Sequence, residues 1–383
     1  MSPPFVSRIR RVLFLRRWFL AALPALVLAG CQTPSPPSSR TPPALTTVIL
    51  PEPLTIASPE PLPIPETNHL APSVSIPPAT TAPIHAWPAE WHNAWVPLES
   101  WGHFNGLGKP MQLSGGMEPL YQLQTSNGLM LVKIGSQVAN IGGLQYGLGF
   151  APRLFKGLPY VHSLDARKTL QALAGAFFQL PATNRTIVID PGHGGRDSGT
   201  LCTGGCDAEK FHTLDWARRL APLLEARGWN VVLTRSNDTD FSLSERIAVA
   251  DRVRAEIFLS LHFNSGGANR ELAGLETYCL TPTGLPSNLV REYEDDPREA
   301  HPNNVFDDQN LLLASRLHRS VLRATGAADR GVRRARFMAV LQGQNRPAVL
   351  IEGGYLSNPD ESRRIATPEY RQALAEGVAR ALE

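Results

Sequence analysis

Residues 186–199, TIVIDPGHGGRDSG, form a short β-branched run that ends in a glycine-rich turn. A strand of this kind presents the side chain in its turn, here His193, at the carboxyl edge of a sheet, where α/β folds build their sites. Two later segments have the same layout. SLHFNS at 260–265 carries His262 at the end of an apolar run, and VLIEGGYLSN at 349–358 carries Glu352. Each of the three predicted strands therefore ends in a group suited to metal binding or proton transfer.

Strand and helix patterns alternate from residue 182 to the end of the sequence. The predicted strands are 186–190, 230–234, 256–261, 274–280, 337–341 and 347–351, and the predicted helices are 208–227, 242–254, 307–325 and 361–382. The helix at 242–254 begins with Ser242 and has Glu245 three residues later, which is the pattern of a capping box. The alternation predicts an α/β domain at 182–383, with a mostly parallel twisted sheet and helices on both faces.

The first 30 residues have the pattern of a secretory signal. Five arginines precede the apolar run 18–29, which is too short for a comfortable transmembrane helix, and small residues follow. Cys31 comes directly after Leu-Ala-Gly and resembles the cysteine of the bacterial lipobox. That resemblance implies cleavage before Cys31 and its lipidation, hence a membrane anchor; a plain signal peptide with an incidental cysteine is the alternative. Gln32 resembles the sorting pattern for the outer membrane, facing the periplasm, of bacteria that have two membranes.

Residues 31–88 are predicted to be a disordered tether. Positions 32–88 hold 16 of the 34 prolines, together with Ser, Thr and Ala and almost no charge. Such a segment cannot bury enough apolar surface to fold. At about 3.1 Å per residue it could reach on the order of 150 Å or more.

The apparent basicity of the chain belongs to the signal. Residues 1–30 carry five of the 37 basic residues and none of the 34 acidic ones, so the chain from Cys31 has a formal charge of −2. A chain with this balance offers no electrostatic support for nucleic-acid binding.

Residues 89–180 have a composition of their own. Alternating segments flank Ser126-Asn127-Gly128, and Asn-Gly between such runs is a strong hairpin signal. A helical pattern over 164–178 closes the region, and together these features predict a small α+β domain. The phrases WVPLESW and LPYVHSLDA loosely resemble the small N-terminal domain of copper amine oxidases, which also occurs beside cell-wall hydrolases. The sequence does not indicate which ligand this domain binds.

Metal chemistry would need a specific set of groups at the sheet edge. His193 and His262 end two strands, and Glu209 lies in the first predicted helix, sixteen residues after His193. Two histidines and a carboxylate are a common ligand set of hydrolytic zinc, which lowers the pKa of a bound water and polarises a carbonyl. A second carboxylate, such as Glu352, could serve as general base and return the proton to the leaving amine.

The ordered motifs resemble those of the zinc-dependent N-acetylmuramoyl-L-alanine amidases, the amidase type 3 family. The resemblance covers nearly all of 186–383 and rests on these elements in order: IVIDPGHGGRDSG, Glu209-Lys210, LTR (233–235), Arg246, FLSLHFNS, GLETY (274–278), RGV (330–332) and VLIEGGYLSNPDE. It implies His193, Glu209 and His262 as Zn²⁺ ligands and Glu352 as the catalytic glutamate. It also implies peptidoglycan as substrate, cleaved at the amide between the lactyl group of N-acetylmuramic acid and L-alanine.

Each of these residues also has a structural interpretation. His193 could cap a turn, His262 could be a hydrogen-bonded core histidine, and Glu352 could be a buried structural carboxylate. Glu209 could simply be a first-turn acid facing the helix dipole, with His212 as the competing ligand. In the family the glutamate binds, which implies a surface or supporting place for His212, and His301 and His318 are expected to face solvent.

Other features leave alternatives open. Cys202 and Cys206 could form a disulfide in an exported compartment or remain free thiols. Some relatives carry a regulatory helix near 281–306, but prolines interrupt that segment here, so an open or loop-covered site is expected; a protein activator stays unknown. The alternatives to the amidase are a catalytically silent wall-binding lipoprotein and a zinc peptidase acting on stem peptides.

Overall fold

The computed structural model describes residues 87–92, 94–175, 178–180, 183–290 and 295–383. These residues all fall in one compact unit. The predicted signal peptide, Cys31 and nearly all of the predicted tether lie outside them. Among the described residues, none of the helices has the length and apolar character needed to cross a bilayer.

The strands of the described residues are β1 Trp95–Pro97, β2 Met111–Gln112, β3 Leu120–Thr125, β4 Gly128–Lys133, β5 Val138–Ile141, β6 Leu144–Gly147, β7 Arg153–Phe155, β8 Leu158–His162, β9 Thr186–Pro191, β10 Asn230–Leu233, β11 Ile257–Asn264, β12 Leu275–Cys279, β13 Asp329–Arg334 and β14 Ala348–Tyr355. The α-helices are α1 Leu98–Phe104, α2 Ser163–Asp165, α3 Gln171–Gly175, α4 Glu209–Glu225, α5 Leu243–Arg252, α6 Asp307–Thr325, α7 Ala339–Gln342, α8 Pro359–Ala366 and α9 Pro368–Ala381. A π-helical turn, Ala166–Leu170, joins α2 to α3, and 3₁₀ turns lie at Ala89–Trp91 and Pro302–Phe306.

Eleven of the described strands form one continuous sheet in the order β10-β9-β11-β14-β12-β13-β6-β5-β4-β3-β2. Every neighbouring pair from β10 to β13 is parallel except β14–β12. The strands from β6 to β2 are antiparallel. The prediction of a mostly parallel α/β sheet is therefore confirmed for the C-terminal half of the chain.

Helices cover both faces of the parallel part, as predicted. On one face, α4, α6 and α9 pack through residues such as Trp216, Leu317 and Val378 against side chains that include Ile187 and Leu259. On the other face, α5 and α7 pack against a second core that contains the intervening side chains of the strands, Val188 and Phe258 among them. Successive residues of a strand point to opposite faces, so an apolar run without alternation is what a sheet covered on both sides requires.

The region 89–180 joins the same sheet. β6 pairs with β13 in parallel, with Val332 opposite Tyr146, and β2 to β6 extend the sheet from there. The hairpin predicted at Asn127-Gly128 is present between β3 and β4. β1, β8 and β7 form a separate antiparallel sheet. The domain boundary near 181 stays a prediction, since hydrogen-bonded strands from both sides of it share one sheet.

Two predicted elements differ from the structure. The strand predicted at 337–341 is wrong, because these residues form a turn and the helix α7, with Met338 and Leu341 packed in the second core. The strand in that part of the sheet is instead β13, whose sequence DRGVRR is mostly polar. The helix predicted over 361–382 is two helices, α8 and α9. Thr367 is extended between them and caps α9, which begins at Pro368.

Candidate metal centre

Strand register brings the predicted site residues to one edge. On β11, Phe258 lies beside Val188 of β9 and Ala348 of β14. Two residues on, Ser260 lies beside Asp190 and Leu350. Two further on, His262 lies beside Glu352, which in turn pairs with Glu276 of β12. Because residues in register share a face, the sheet changes along this face from an apolar row to a row with two buried polar side chains and then to a row of ionisable groups.

The turn after β9 holds His193 in a left-handed backbone conformation, with φ 63°. Two neighbouring glycines allow the surrounding groups to approach. A Cβ atom at Gly192 would lie 2.2 Å from the His262 ring, and one at Gly199 would lie 2.6 Å from the His193 ring and 2.7 Å from a Glu209 oxygen. The glycines of the motif are therefore required by close packing around the site.

Two buried arginines hold this turn in place through hydrogen bonds to its backbone carbonyls. Arg246 of α5 donates to Asp190 Oδ1 at 2.7 Å and to the carbonyl of His193 at 2.9 Å. Arg235, after β10, donates to the carbonyls of Pro191 and Gly192 at 2.9 and 2.8 Å. The motif arginines thus position the backbone that carries His193.

The predicted capping box of α5 is confirmed, since Ser242 and Glu245 each accept from the other's backbone N–H.

Glu209 begins α4 and turns its side chain toward the two histidines. Its Oε1 lies 3.1 Å from His193 Nε2 and 3.0 Å from His262 Nδ1. The backbone N–H groups of Phe263 and Thr200 donate to its two oxygens at 2.9 and 2.8 Å. This carboxylate is almost completely buried, and its orientation is fixed by bonds to both oxygens.

His212, the competing ligand, lies elsewhere. Its side chain is buried against the ring of Phe263, and its Nδ1 lies 3.3 Å from Arg371. Burial, followed by the charge of Arg371, lowers its pKa. His212 is thus a core residue behind β11, and a surface place for it is wrong.

The donor set suits a metal cation. One nitrogen of His193, one of His262 and one oxygen of Glu209 lie within 4.8 Å of one another. Burial favours the neutral form of Glu209, but hydrogen bonds from both histidines outweigh it and hold its pKa well below the ordinary range. Burial likewise disfavours the charge on His193, yet Glu209 and Asp197 raise its pKa overall. A buried carboxylate that keeps its charge between two imidazoles attracts positive charge, so the residues present fit a bound cation.

Asp197 is a functional candidate that the sequence motifs did not single out. Its Oδ2 lies 2.7 Å from His193 Nδ1, the ring nitrogen that faces away from Glu209, and its Oδ1 accepts from the N–H of Gly199 at 3.0 Å. Histidines that bind metals generally use their second nitrogen in such a bond, which orients the ring. The spacing of four residues within a glycine-rich turn was the available signal.

Glu352 is buried and lies next to the cluster without belonging to it. Its strand position is in register with His262 on one side and Glu276 on the other. Glu276 is the centre of a buried network. Its oxygens accept from Asn264 at 2.7 Å, Tyr278 at 2.8 Å and Arg330 at 3.0 Å. The site thus has one carboxylate facing both histidines and a second one beside His262.

The remaining predicted residues have defined places. Cys202 and Cys206 form a disulfide in the loop before Glu209, with their Cα atoms 5.4 Å apart. His301 is partly exposed, but His318 is completely buried between Thr277 and Asp329, so its predicted exposure is wrong. In the described residues of 281–301 there is no helix, and the His193 and His262 side chains retain 22% and 18% of their exposure.

Comparison with known proteins identifies relatives of the C-terminal half. The family model described as N-acetylmuramoyl-L-alanine amidase matches residues 187–383. The amidase AmiA of Escherichia coli is 29% identical over 216 residues, which cover 51% of this chain and 74% of that protein. A sporulation-specific N-acetylmuramoyl-L-alanine amidase of Bacillus subtilis is 34% identical over 199 residues, covering 51% of this chain and 66% of the relative.

Among solved structures, the amidase AmiC2 of Nostoc punctiforme is 32% identical, with 53% of this chain and 97% of that chain covered and a TM-score of 0.43. The catalytic domain of CwlV from Paenibacillus polymyxa is 31% identical, with 52% and 96% covered and the same TM-score of 0.43. The family model spans half of the chain and includes the strand ends that carry His193, His262 and Glu352. The chain therefore belongs to the N-acetylmuramoyl-L-alanine amidase family.

Proposed function

We propose that this protein is a zinc-dependent N-acetylmuramoyl-L-alanine amidase that hydrolyses the amide between the lactyl group of N-acetylmuramic acid and L-alanine in peptidoglycan. Family membership supports the activity and the substrate class. The observation that carries the proposal is the convergence of His193, Glu209 and His262 within 4.8 Å, with Glu352 in register beside His262.

His193, Glu209 and His262 would hold the zinc. When bound, Zn²⁺ supplies Lewis acidity that polarises the scissile carbonyl and lowers the pKa of a water. Asp197 holds the His193 ring in place through its Nδ1. Glu352 takes a proton from the attacking water and delivers it to the nitrogen of L-alanine as the C–N bond breaks. The products are a lactyl carboxylate on the sugar and a stem peptide with a free amine.

Glu352→Gln tests the role of this carboxylate. The amide keeps the shape of the side chain but cannot accept the proton, so turnover of purified cell wall should fall about 10²- to 10⁴-fold. Zinc content, measured on the purified protein, should stay the same as in the wild type. Glu271→Gln, on an exposed loop after β11, is the matched control and should change neither quantity. Normal turnover by Glu352→Gln would contradict the mechanism.

Mass spectrometry of the digest separates the amidase from its alternatives. An amidase releases intact stem peptides that begin with L-alanine, whereas a zinc peptidase shortens them. A silent wall-binding protein releases nothing and copurifies without stoichiometric zinc. The digest therefore tests the bond that is cut, independently of the residue that cuts it.

We also propose that Cys31 carries a lipid that anchors the protein in the outer membrane, facing the periplasm, and that residues 32–88 tether the enzyme to it. The Leu-Ala-Gly-Cys sequence, Gln32 and the proline-rich composition support this proposal. Cys31→Ser should move the protein from the membrane fraction to the soluble fraction of the envelope and abolish labelling by a palmitate analogue. A wild type that is already soluble and takes up no palmitate analogue would indicate a plain signal peptide.

A further inference from the structure

We propose that Arg330 and Arg333 form a subsite that binds a free carboxylate of the stem peptide, on the leaving-group side of the scissile amide. The inference rests on the proposed function and adds a specificity determinant to it. The chemical class of the ligand is an acidic residue that follows L-alanine. In peptidoglycan this residue is D-glutamate, whose γ-carboxyl continues the peptide and whose α-carboxylate is therefore free.

The two guanidinium groups converge on the row that contains Glu352. Arg330 Nε lies 3.0 Å and Arg333 Nε 3.4 Å from the same oxygen of Glu276. Arg330 also stacks on the ring of Tyr355, 5.2 Å from its centre, three residues beyond Glu352 on β14. Both arginines use Nε in these contacts. Arg330 also has a side-chain hydrogen bond with Tyr355, and Arg333 Nε donates to the carbonyl of Arg330 at 2.9 Å. The two side chains remain 26% and 29% exposed, so a carboxylate from solvent can reach the guanidinium groups.

A polar cavity of about 130 Å³ lies against these arginines. The catalytic half contributes Arg330, Arg333 and Asn288 to its lining, and the N-terminal strands contribute Gln137 and Gln145. No acidic side chain lines it within the described part of the chain. One carboxylate, Glu276, faces two arginines, so the group as a whole has an excess of positive charge at the cavity. Planar guanidinium groups with free N–H pairs match a carboxylate in shape and charge.

The spacing agrees with the position of the substrate carboxylate. Neighbouring strands lie about 4.8 Å apart, so Glu276 on β12 is one strand from Glu352, and β13 is two strands or roughly 10 Å away. The α-carboxylate of D-glutamate lies up to two residue spans, about 7 Å, from the scissile nitrogen. With Glu352 at the scissile amide, guanidinium groups that reach back from β13 toward Glu276 lie at the matching distance. The cavity continues from these arginines toward β6 and β5, on the side away from Glu352.

Paired substrates test the subsite. N-acetylmuramoyl-L-alanyl-D-glutamate and its D-isoglutamine counterpart, each with the γ-carboxyl capped as a methylamide, differ only in an α-carboxylate against an α-carboxamide. The wild type should cleave the acid with a kcat/KM about 10- to 100-fold higher, as expected for a charge-assisted bond. Arg333→Gln should bring this ratio close to one, and Arg333→Lys should retain part of it.

Arg227→Gln is the matched control. This arginine has the same 29% side-chain exposure, pairs with Glu383 and precedes β10 at the opposite edge of the sheet. In the Arg227→Gln variant, the ratio of kcat/KM for the acid to kcat/KM for the amide should equal that of the wild type. A wild type without preference for the acid, or an Arg333→Gln variant that keeps the full preference, would overturn the inference.

Binding separates this inference from the proposed function. Calorimetry with L-alanyl-D-glutamate and L-alanyl-D-isoglutamine, each with the γ-carboxyl capped as a methylamide, measures the preference without any bond cleavage. If the wild type cleaves neither muramoyl peptide but binds the acid more tightly through Arg333, the proposed function fails and the subsite stands. If it binds both dipeptides equally, the subsite fails whatever the activity.

Discussion

Asp197 shows how a single residue outside the proposed ligand set can support the site. Its carboxylate bonds the outer nitrogen of the His193 ring and is itself held by the Gly199 N–H. The bond fixes which ring nitrogen faces Glu209, and it orients the ring before any cation binds. Loss of such a supporting carboxylate generally weakens a metal site even though no ligand is removed.

Asp197→Ala should therefore weaken zinc binding about 10- to 100-fold. Competition against a chromogenic chelator measures the affinity directly, and a melting curve of the metal-free protein checks the fold. Asp360→Ala removes an exposed aspartate that pairs with Arg363 and serves as the control. Equal zinc affinity in the Asp197→Ala variant would mean that His193 is oriented by the turn alone.

For single residues, the sequence predicted the site residues at strand ends more reliably than the residues that hold those side chains in place. His193, His262 and Glu352 follow apolar runs, and α/β folds bring such strand ends together. Asp197 reaches the site through the glycine-rich turn, where its spacing of four residues from His193 was the only local signal, and Glu276 reaches it through strand register, which no local pattern shows. His212 and His318 were misplaced for a related reason, because a histidine on a helix gives no indication of the buried partners it will meet.

Among the elements, β9, β10, β11 and α5 are joined below the site by one buried polar group. Asp190 of β9 accepts from Arg246 of α5 at 2.7 Å, from Thr234 at 2.6 Å and from Ser260 of β11 at 2.9 Å. Arg246 is also bonded to the carbonyl of His193. Both charged side chains are almost inaccessible, so each buried charge is compensated by the other.

Arg246→Met should destabilise the fold by about 3–5 kcal/mol, since it leaves Asp190 buried without its cation. Urea denaturation measures the loss. The double variant Arg246→Met with Asp190→Asn should recover part of it, because the uncompensated charge is gone. A single variant as stable as the wild type would show that Thr234 and Ser260 alone can satisfy the carboxylate.

Strand prediction failed in two places, an apolar segment that is not a strand and a polar segment that is one. The apolar run 337–341 suggested a strand, but short apolar runs do not distinguish a strand from a buried helical turn. β13 carries charged side chains, and these pair with groups near the site. Arg330 and Arg333 meet Glu276, while Asp329 accepts from His318 and from the N–H of Gln145. These long-range partners, which the local sequence does not contain, satisfy the charges of the strand.

On the scale of the whole molecule, the N-terminal strands cover an edge that the catalytic half would otherwise expose. β6 pairs with β13, and the described sheet ends at the two-residue strand β2 instead. Open strand edges present unpaired backbone groups that recruit other chains, and short edge strands limit this risk. The region 89–180 therefore has a role in the sheet in addition to any ligand it binds.

A chain that begins at residue 182 should consequently self-associate or aggregate, whereas a chain that begins at residue 87 should not. Size-exclusion chromatography with light scattering, across a concentration series, compares the two. The shorter chain would also lose the Gln137 and Gln145 walls of the cavity beside Arg333. If both chains have the same mass and melting temperature, β13 does not need its partner.

The disulfide between Cys202 and Cys206 determines when the loop before Glu209 can take its final form. It closes the loop whose first residue, Thr200, donates to Glu209. Thiols stay reduced in the cytosol and oxidise only in exported compartments. Under the export proposed above, the loop before Glu209 would therefore close only after translocation. The chain would then reach its complete site in the compartment that holds the proposed substrate.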